Sequence, residues 1–345
     1  MPQRISSRSI ALTVLGAVIG AGFASGQEIN HFFIRHGDAG WLAIFVSAFS
    51  FLLLMLWLTR ISLQRQIDGY PKLLAILGGE TAAGLFRHVF AAFLFIGLTV
   101  MLSGSAALLQ SVFGHAKVWY GILTALLVYL VMRRQTRGVA RANELLMPCL
   151  LFLFLFYLLR SLPQTGAVAT SPVTSGSWVW SGLLYVAMNS AILLVVIPSL
   201  AAKAESPRGA YQGVSVAAGL LLLLLLLLFH LLSKFQGWAV GADLPLLVVC
   251  QRLLPNLPWL YAIPLWIALA TTALADAMGL KVYLHEHLPG REEGLFVLSL
   301  VIAAALSQLR FASLVALLYP LTGYVCLGFY LFCLIRRLLR SLTVH

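Results

Sequence analysis

Gly16-Ala17-Val18-Ile19-Gly20-Ala21-Gly22-Phe23-Ala24-Ser25-Gly26-Gln27-Glu28 places four glycines and three polar side chains inside the first apolar run of the chain, Ile10 to Phe33. A membrane crossing takes roughly 20 apolar residues, so the run is long enough to span. Glycine costs a helix interior about 1 kcal/mol relative to alanine, so the cluster weakens the helix in mid-span. Two readings follow. The glycines can let a neighbouring helix pack closely. Alternatively the helix is discontinuous, and its freed N–H and C=O groups bind a solute near the bilayer midplane. Close packing gives no use for Gln27 and Glu28, and polar groups in hydrocarbon need partners, which favours the broken helix.

Outward from this stretch the chain is apolar almost throughout. Of its 345 residues 61% are hydrophobic and 10% charged, against about 25% charged in a soluble domain. Ten spanning segments are expected. The first five are Ile10 to Phe33, Gly40 to Ile61, His88 to Phe113, Val118 to Met132 and Glu144 to Leu159. The second five are Trp178 to Ala202, Ala210 to Leu232, Trp259 to Lys281, Gly294 to Leu309 and Phe311 to Leu334. Tyr70 to Phe86 and Asp243 to Leu254 are amphipathic and are expected at the interfaces. Residues 1–345 therefore read as a single transmembrane domain, an all-α membrane protein without a separate soluble unit.

Charge tests this count. With a cytoplasmic N-terminus, 17 of the 23 Lys and Arg residues fall in inside loops, as the positive-inside rule requires. Adding or dropping one helix midway would flip every later loop. Both termini are thus expected in the cytoplasm of a bacterium, with the chain in the inner membrane. The net charge of +12 is spread over those loops, so nucleic-acid binding is not expected. Arg4 and Arg8 before Ile10 to Ile19 resemble a signal peptide, but apolar character resumes at Ile29 to Phe33, which fits an uncleaved broken helix. Cys149, Cys250, Cys326 and Cys333 show no metal-ligand or disulfide spacing.

An odd number of helices per half makes the halves antiparallel, an inverted 5+5 repeat with residues 9–160 as the first half and 177–337 as the second. The sixth segment is then the mate of the first. It carries Leu184-Tyr185-Val186-Ala187-Met188-Asn189-Ser190-Ala191, with Pro198 beyond. Interruptions at matching positions of two halves point to a transporter site; Asn189 can equally make an interhelical hydrogen bond. Glu28 and Asp276 alone among the acidic residues lie well inside spans, and intramembrane carboxylates are costly and functional by default. Local neutralisation by His31 is the alternative for Glu28, and an interfacial pair with Lys281 the alternative for Asp276. Thr271 and Thr272 can bond back one turn or ligate a small hard cation. Leu220 to Leu228 is expected to face lipid. His285-Glu286-His287 lacks the spacing of a helical metal pair and is expected in a solvated cytoplasmic loop. No nucleotide-binding loop or nucleophile elbow occurs, so neither an enzyme nor an ATP-driven pump is expected.

The first-segment stretch, continued by Ile29 and Phe32-Phe33, resembles the YkvI-like amino-acid permeases of the amino acid–polyamine–organocation superfamily. The resemblance is specific at this segment and loose elsewhere. It implies the five-plus-five inverted-repeat fold of LeuT, with discontinuous helices 1 and 6. It also implies substrate contacts from the unwound stretch Ala21, Gly22, Ala24, Ser25 and Gly26, continued by Gln27 and Glu28. Tyr185, Met188, Asn189 and Ser190 would contribute from helix 6. In sodium-coupled members an Ala-x-x-Thr-Ser/Thr run binds Na⁺; Ala268, Thr271 and Thr272 match it, with Gly20 and Phe23 at the carbonyl positions. Gln27 and Glu28 depart from the pattern of symporters with a second sodium. The expected function is secondary active transport (symport) of an amino acid or related small amine. No cofactor is expected beyond Na⁺ or H⁺ as coupling ion, with Glu28 and Asp276 as the proton candidates. A small-molecule substrate and the lipid bilayer are the expected partners, with no obligate protein partner. The rival is a ligand-sensing receptor that keeps the fold without net transport.

Overall fold

The computed structural model describes residues 4–133, 138–166, 177–239 and 241–342. The inside positions Arg134 and Arg137 and the C-terminal His345 lie outside these residues. All the regular elements described are helical. The chain runs through α1 Ser7–Val18, α2 Ala21–Ser25, α3 Gln27–Phe32, a 3-10 turn Ile34–His36, α4 Ala39–Gln64, α5 Tyr70–Phe113, α6 Lys117–Arg133 and α7 Gly138–Ser161. It continues with α8 Ser177–Lys203, α9 Pro207–Lys234, α10 Gln236–Ala239, α11 Pro245–Leu253, α12 Trp259–His287, α13 Glu292–Leu306 and α14 Phe311–Leu342. Six of these contain stretches long and apolar enough to cross a bilayer, among them Ala39–Gln64, Ala83–Phe113, Pro207–Lys234 and Trp259–His287. This is a multi-pass α-helical membrane protein.

Local sequence sets the ends. Ser6 Oγ accepts the Ser9 N–H at 3.3 Å and starts α1; Ser206 caps α9 ahead of Pro207, which suits a first helical position. Gly114 closes α5 in the left-handed conformation. The expected amphipathic segment Tyr70 to Phe86 is continuous with the third span except for one non-helical residue, Gly79, at φ 77°. The Arg336 guanidinium from α14 sits over Gly79 and donates to the Gly78 carbonyl.

Two groups of helices emerge from the packing. Helices α1 and α4 each pack on both α8 and α9; α5, α6, α12 and α13 all pack on one another. Helix α14 joins the groups through α8 and α5, and α7 packs against α12 and α9. At one end, Ile5 pairs in a short parallel bridge with Ala204: its N–H donates to Lys203 O at 2.8 Å and its carbonyl accepts from Glu205 N at 3.1 Å.

The structure corrects several expectations. The sixth segment, α8, is one continuous helix. Its mid-span amide and hydroxyl bond along their own helix: Asn189 Nδ2 to Tyr185 O at 3.0 Å and Ser190 Oγ to Ala187 O at 2.5 Å. Neither bond calls for a break or reaches another helix. The leucine run faces inward as much as outward, because Leu221, Leu224, Leu225 and Leu228 fall at helical spacing and are buried, on the face by which α9 packs against α1 and α4. His285-Glu286-His287 forms the last turn of α12, where His287 stacks on Tyr283. No group of three or more His, Cys, Asp or Glu able to hold a metal occurs among the described residues.

Candidate functional site

The first segment breaks twice. Helix α1 stops at Val18, and Gly20 (φ −84°, ψ −177°) is extended. One helical turn follows, and its first internal bond runs from Ala24 N to Gly20 O at 3.1 Å. Gly26 then takes a left-handed conformation, φ 82°, and α3 begins. The stretch Ala21 to Gly26, expected to be unwound, is thus a helical turn between two breaks. The physical reason lies in its side chains. Ser25 Oγ donates to Gly22 O at 2.7 Å and accepts from Gln27 N at 3.2 Å, closing the turn on itself.

A cavity of about 310 Å³ opens beside the first break, between α1–α3, α5, α8, α12 and α14. Of the residues expected in substrate or ion contact, Gly20, Ala21, Gly22, Glu28, Met188, Asn189, Thr272 and Asp276 line it. Glu28 reaches it by folding back: a Cβ on Gly22 would stand 2.3 Å from Glu28 Oε1 and 2.9 Å from Tyr319 Oη. Only a glycine at position 22 leaves that room. Glu28 is 4% exposed, and its Oε2 has no hydrogen-bond partner among the described residues. Tyr185 presents its hydroxyl to Glu28, but Tyr185 Oη is also without a partner in hydrogen-bond geometry. His31 does not neutralise this carboxylate; its ring meets Arg35 Nη1 at 3.5 Å and Phe32 edge-on.

Asp276 occupies another wall. Its Oδ2 would lie 2.4 Å from a Cβ on Gly97, so the two helices approach closely there. Lys281, its expected partner, bonds Glu293 Oε2 instead at 2.7 Å. Two intramembrane carboxylates therefore face one cavity without a basic residue on its lining.

The other expected residues sit behind the lining. Gln27 Nε2 donates to Ala242 O at 2.7 Å and Asp243 O at 3.1 Å, which anchors α3 to the segment before α11. Ala24 O accepts the Tyr261 hydroxyl at 2.6 Å. Phe23, Ser25 and Ser190 are fully buried, and none of Phe23, Ala24, Ser25, Gly26, Gln27, Tyr185, Ser190, Ala268 and Thr271 lines the cavity. Thr271 Oγ1 bonds back to Ile267 O at 2.9 Å and Ala268 O at 3.2 Å. On the α3 side rings pack together: Tyr185 lies against Phe32 at 5.3 Å, Phe33 at 5.1 Å and Phe51 at 5.8 Å between centroids.

Sequence reasoning missed Tyr319, Thr322 and Gly97. A tyrosine next to Pro320 in an apolar span was the available signal for α14. Gly97 has none, because its role depends on what crosses it.

The description "Spore germination protein" belongs to the family that matches residues 4–237. The uncharacterized membrane protein YkvI of Bacillus subtilis (strain 168) is 28% identical over 333 residues, 94% of each chain. Among solved structures, a variant of the manganese transporter of Eremococcus coleocola superposes with a TM-score of 0.65 at 16% identity, covering 95% of this chain and 78% of that one. A Na⁺-coupled sialic acid symporter, bound to substrate in an outward-open state, superposes with a TM-score of 0.64 at 11% identity, covering 95% and 79%. At these identities the likeness speaks for the fold, which is that of LeuT-type transporters.

Proposed function

The chain belongs to the spore germination protein family of membrane permeases, and from that membership we propose that it is a secondary active transporter of an amino acid or related small amine. One observation carries the reading. Glu28 holds a buried carboxylate oxygen without a partner, on a cavity placed between the two helix groups. A carboxylate at membrane depth costs several kcal/mol unless hydrated, paired or protonated, so a cationic group of the solute is its natural complement.

Packing supports a ten-helix chain built as a 5+5 inverted repeat. Number the spans so that α1–α3 form the first and α14 the tenth, and exchange each span with the one five places on. The contact of α1 with α9 then maps onto that of α8 with α4, α5–α6 onto α12–α13, and α13–α5 onto α6–α12. Transport would proceed by rocking of α1, α4, α8 and α9 against α5, α6, α12 and α13, which gives alternating access. The asymmetry of basic residues between alternate loops supports cytoplasmic termini in a bacterial inner membrane.

Na⁺ is the proposed coupling ion, held by carbonyls of Gly20, Phe23 and Ala268 with the hydroxyls of Thr271 and Thr272. Helix α2 packs directly on α12, and Gly20 and Thr272 face the same cavity, which supports those two members; Phe23, Ala268 and Thr271 lie behind its lining. Five neutral oxygens suit a small hard monovalent cation. Asp276, one turn beyond Thr272, is the competing proton carrier.

Radiolabelled uptake into proteoliposomes tests the reading, with an imposed sodium gradient and then a proton gradient. Solute accumulation that collapses with the gradient is expected. Saturable binding without flux would make the protein a receptor on a transporter fold.

A further inference from the structure

The cavity is acceptor-rich as well as acidic. Asn189 commits one of its two amide N–H donors to Tyr185 O, at 3.0 Å, and Thr322 donates its hydroxyl to Tyr319 O, at 2.7 Å. Both side chains keep oxygen lone pairs for a ligand, and Asn189 keeps its second N–H. Added to Glu28 and Asp276, they give a lining whose formal charges are two carboxylates and whose basic residues number none among the described residues. A zwitterion placed there would bring one cation to two anions and carry a carboxylate of its own.

The carboxylates come from different helices, α3 and α12. Glu28 folds onto Gly22 of α2 beside the Tyr319 hydroxyl; Asp276 lies against Gly97 of α5. Thr272 precedes Asp276 by four residues on α12, so the two side chains share one face, and both line the cavity. Phe93, Met188 and Ile192 also line it and offer apolar surface. A bare divalent ion needs its oxygens to converge at about 2.0–2.6 Å. Among the described residues no third His, Cys, Asp or Glu joins the two carboxylates as a metal-holding group.

We propose that the solute bound here is a linear diammonium ion. One ammonium sits at Glu28 with Tyr319, the other at Asp276 with Thr272, and the methylene chain lies on the apolar wall. The unpartnered Glu28 Oε2 accepts from the first ammonium. This names the substrate class of the transport site and rests on the cavity being that site.

The test is calorimetric titration of the purified full chain in detergent with 1,4-diaminobutane, n-butylamine, 4-aminobutanoate and manganese chloride. Diaminobutane is expected to bind at least about tenfold more tightly than butylamine, tenfold being 1.4 kcal/mol, and 4-aminobutanoate more weakly than either. Glu28→Gln and Asp276→Asn should each bring diaminobutane to the butylamine level. A series from 1,2-diaminoethane to 1,6-diaminohexane on the unaltered protein needs no variant to fold, and affinity should peak at one chain length. Equal or tighter binding of 4-aminobutanoate, a flat length series, or manganese binding in place of the diamine overturns the proposal. Proteoliposome flux separates the two readings. Diamine bound but not carried removes the transporter and leaves the site, whereas an amino acid carried without diamine binding does the reverse.

Discussion

Gly26→Ala isolates the junction on which the position of Glu28 depends. Gly26 links the α2 turn to α3 at φ 82°, ψ −1°, where an L residue costs about 1–2 kcal/mol. The added methyl would stand 3.0 Å from Leu246 Cβ, 3.1 Å from the Leu246 nitrogen and 3.0 Å from Leu232 Cδ1. Leu232 can turn aside, but the first turn of α11 can only shift, and such overpacking costs about 1–3 kcal/mol. The two effects together give about 2–5 kcal/mol. Gly20→Ala is the internal comparison: Gly20 is extended, and a Cβ there meets nothing within 4 Å, so the change should stay within about 0.5 kcal/mol. Thermal unfolding of the full chain in detergent, followed by tryptophan fluorescence, reads the difference. In a chain of 345 residues each kcal/mol moves Tm by about 1.4 °C, so Gly26→Ala should melt about 3–7 °C lower. Gly26→Asn should recover part of the loss, since asparagine tolerates the left-handed region. Equal melting of Gly26→Ala and the unaltered protein, or an equal loss at Gly20→Ala, would refute the left-handed junction.

Gly22→Ala should displace the Glu28 carboxylate and weaken diaminobutane binding about 10–100-fold, the loss of a charged hydrogen bond. The double variant with Glu28→Gln should be no weaker than Glu28→Gln alone, and additive losses in calorimetry would break the link between them. Thr271→Ala with Thr272→Ala should remove sodium-stimulated uptake, while full uptake driven by a proton gradient without sodium would transfer coupling to Asp276. Reporter fusions at Arg35 and Lys234 should read periplasm, and fusions at Arg208 and Leu288 cytoplasm; a reversed pair would overturn the ten-helix count. Arg336→Ala removes the guanidinium over Gly79 and leaves the Gly78 carbonyl short of a donor. A loss of about 1–3 kcal/mol in unfolding experiments is expected.

Helix extents were readable because spanning runs are set by composition. Gly40 to Ile61 stands as Ala39–Gln64, and Ala210 to Leu232 as Pro207–Lys234. The break in the first segment was readable too, since Gly20 and Gly26 sit in a run that otherwise has no reason to interrupt its apolar pattern. Its fine structure was not. Whether Ser25 unwinds the stretch or ties it into a turn depends on which carbonyl its hydroxyl reaches, and residue type does not encode that. The same ambiguity hid the bonds that Asn189 and Ser190 make to carbonyls of their own helix, while Asn189 still lines the cavity. Gln27 looked like a ligand contact because a buried amide needs partners; those partners are carbonyls more than 200 positions away. Glu28 and Asp276 were legible as costly carboxylates, but their meeting on one cavity arises from tertiary packing, as does the contribution of Tyr319.

The bridge between Ile5 and Ala204 fixes the mechanical standing of α1. Both of its hydrogen bonds, to Lys203 O and from Glu205 N, tether the start of α1 to the linker between α8 and α9. An isolated outward swing of α1, like a door on the Gly20 hinge, must first snap both. Travel together with α8 and α9 leaves them whole. The N-terminal bridge therefore couples the α1 door to its frame, so a probe at Arg4 would register the displacement of three helices at once.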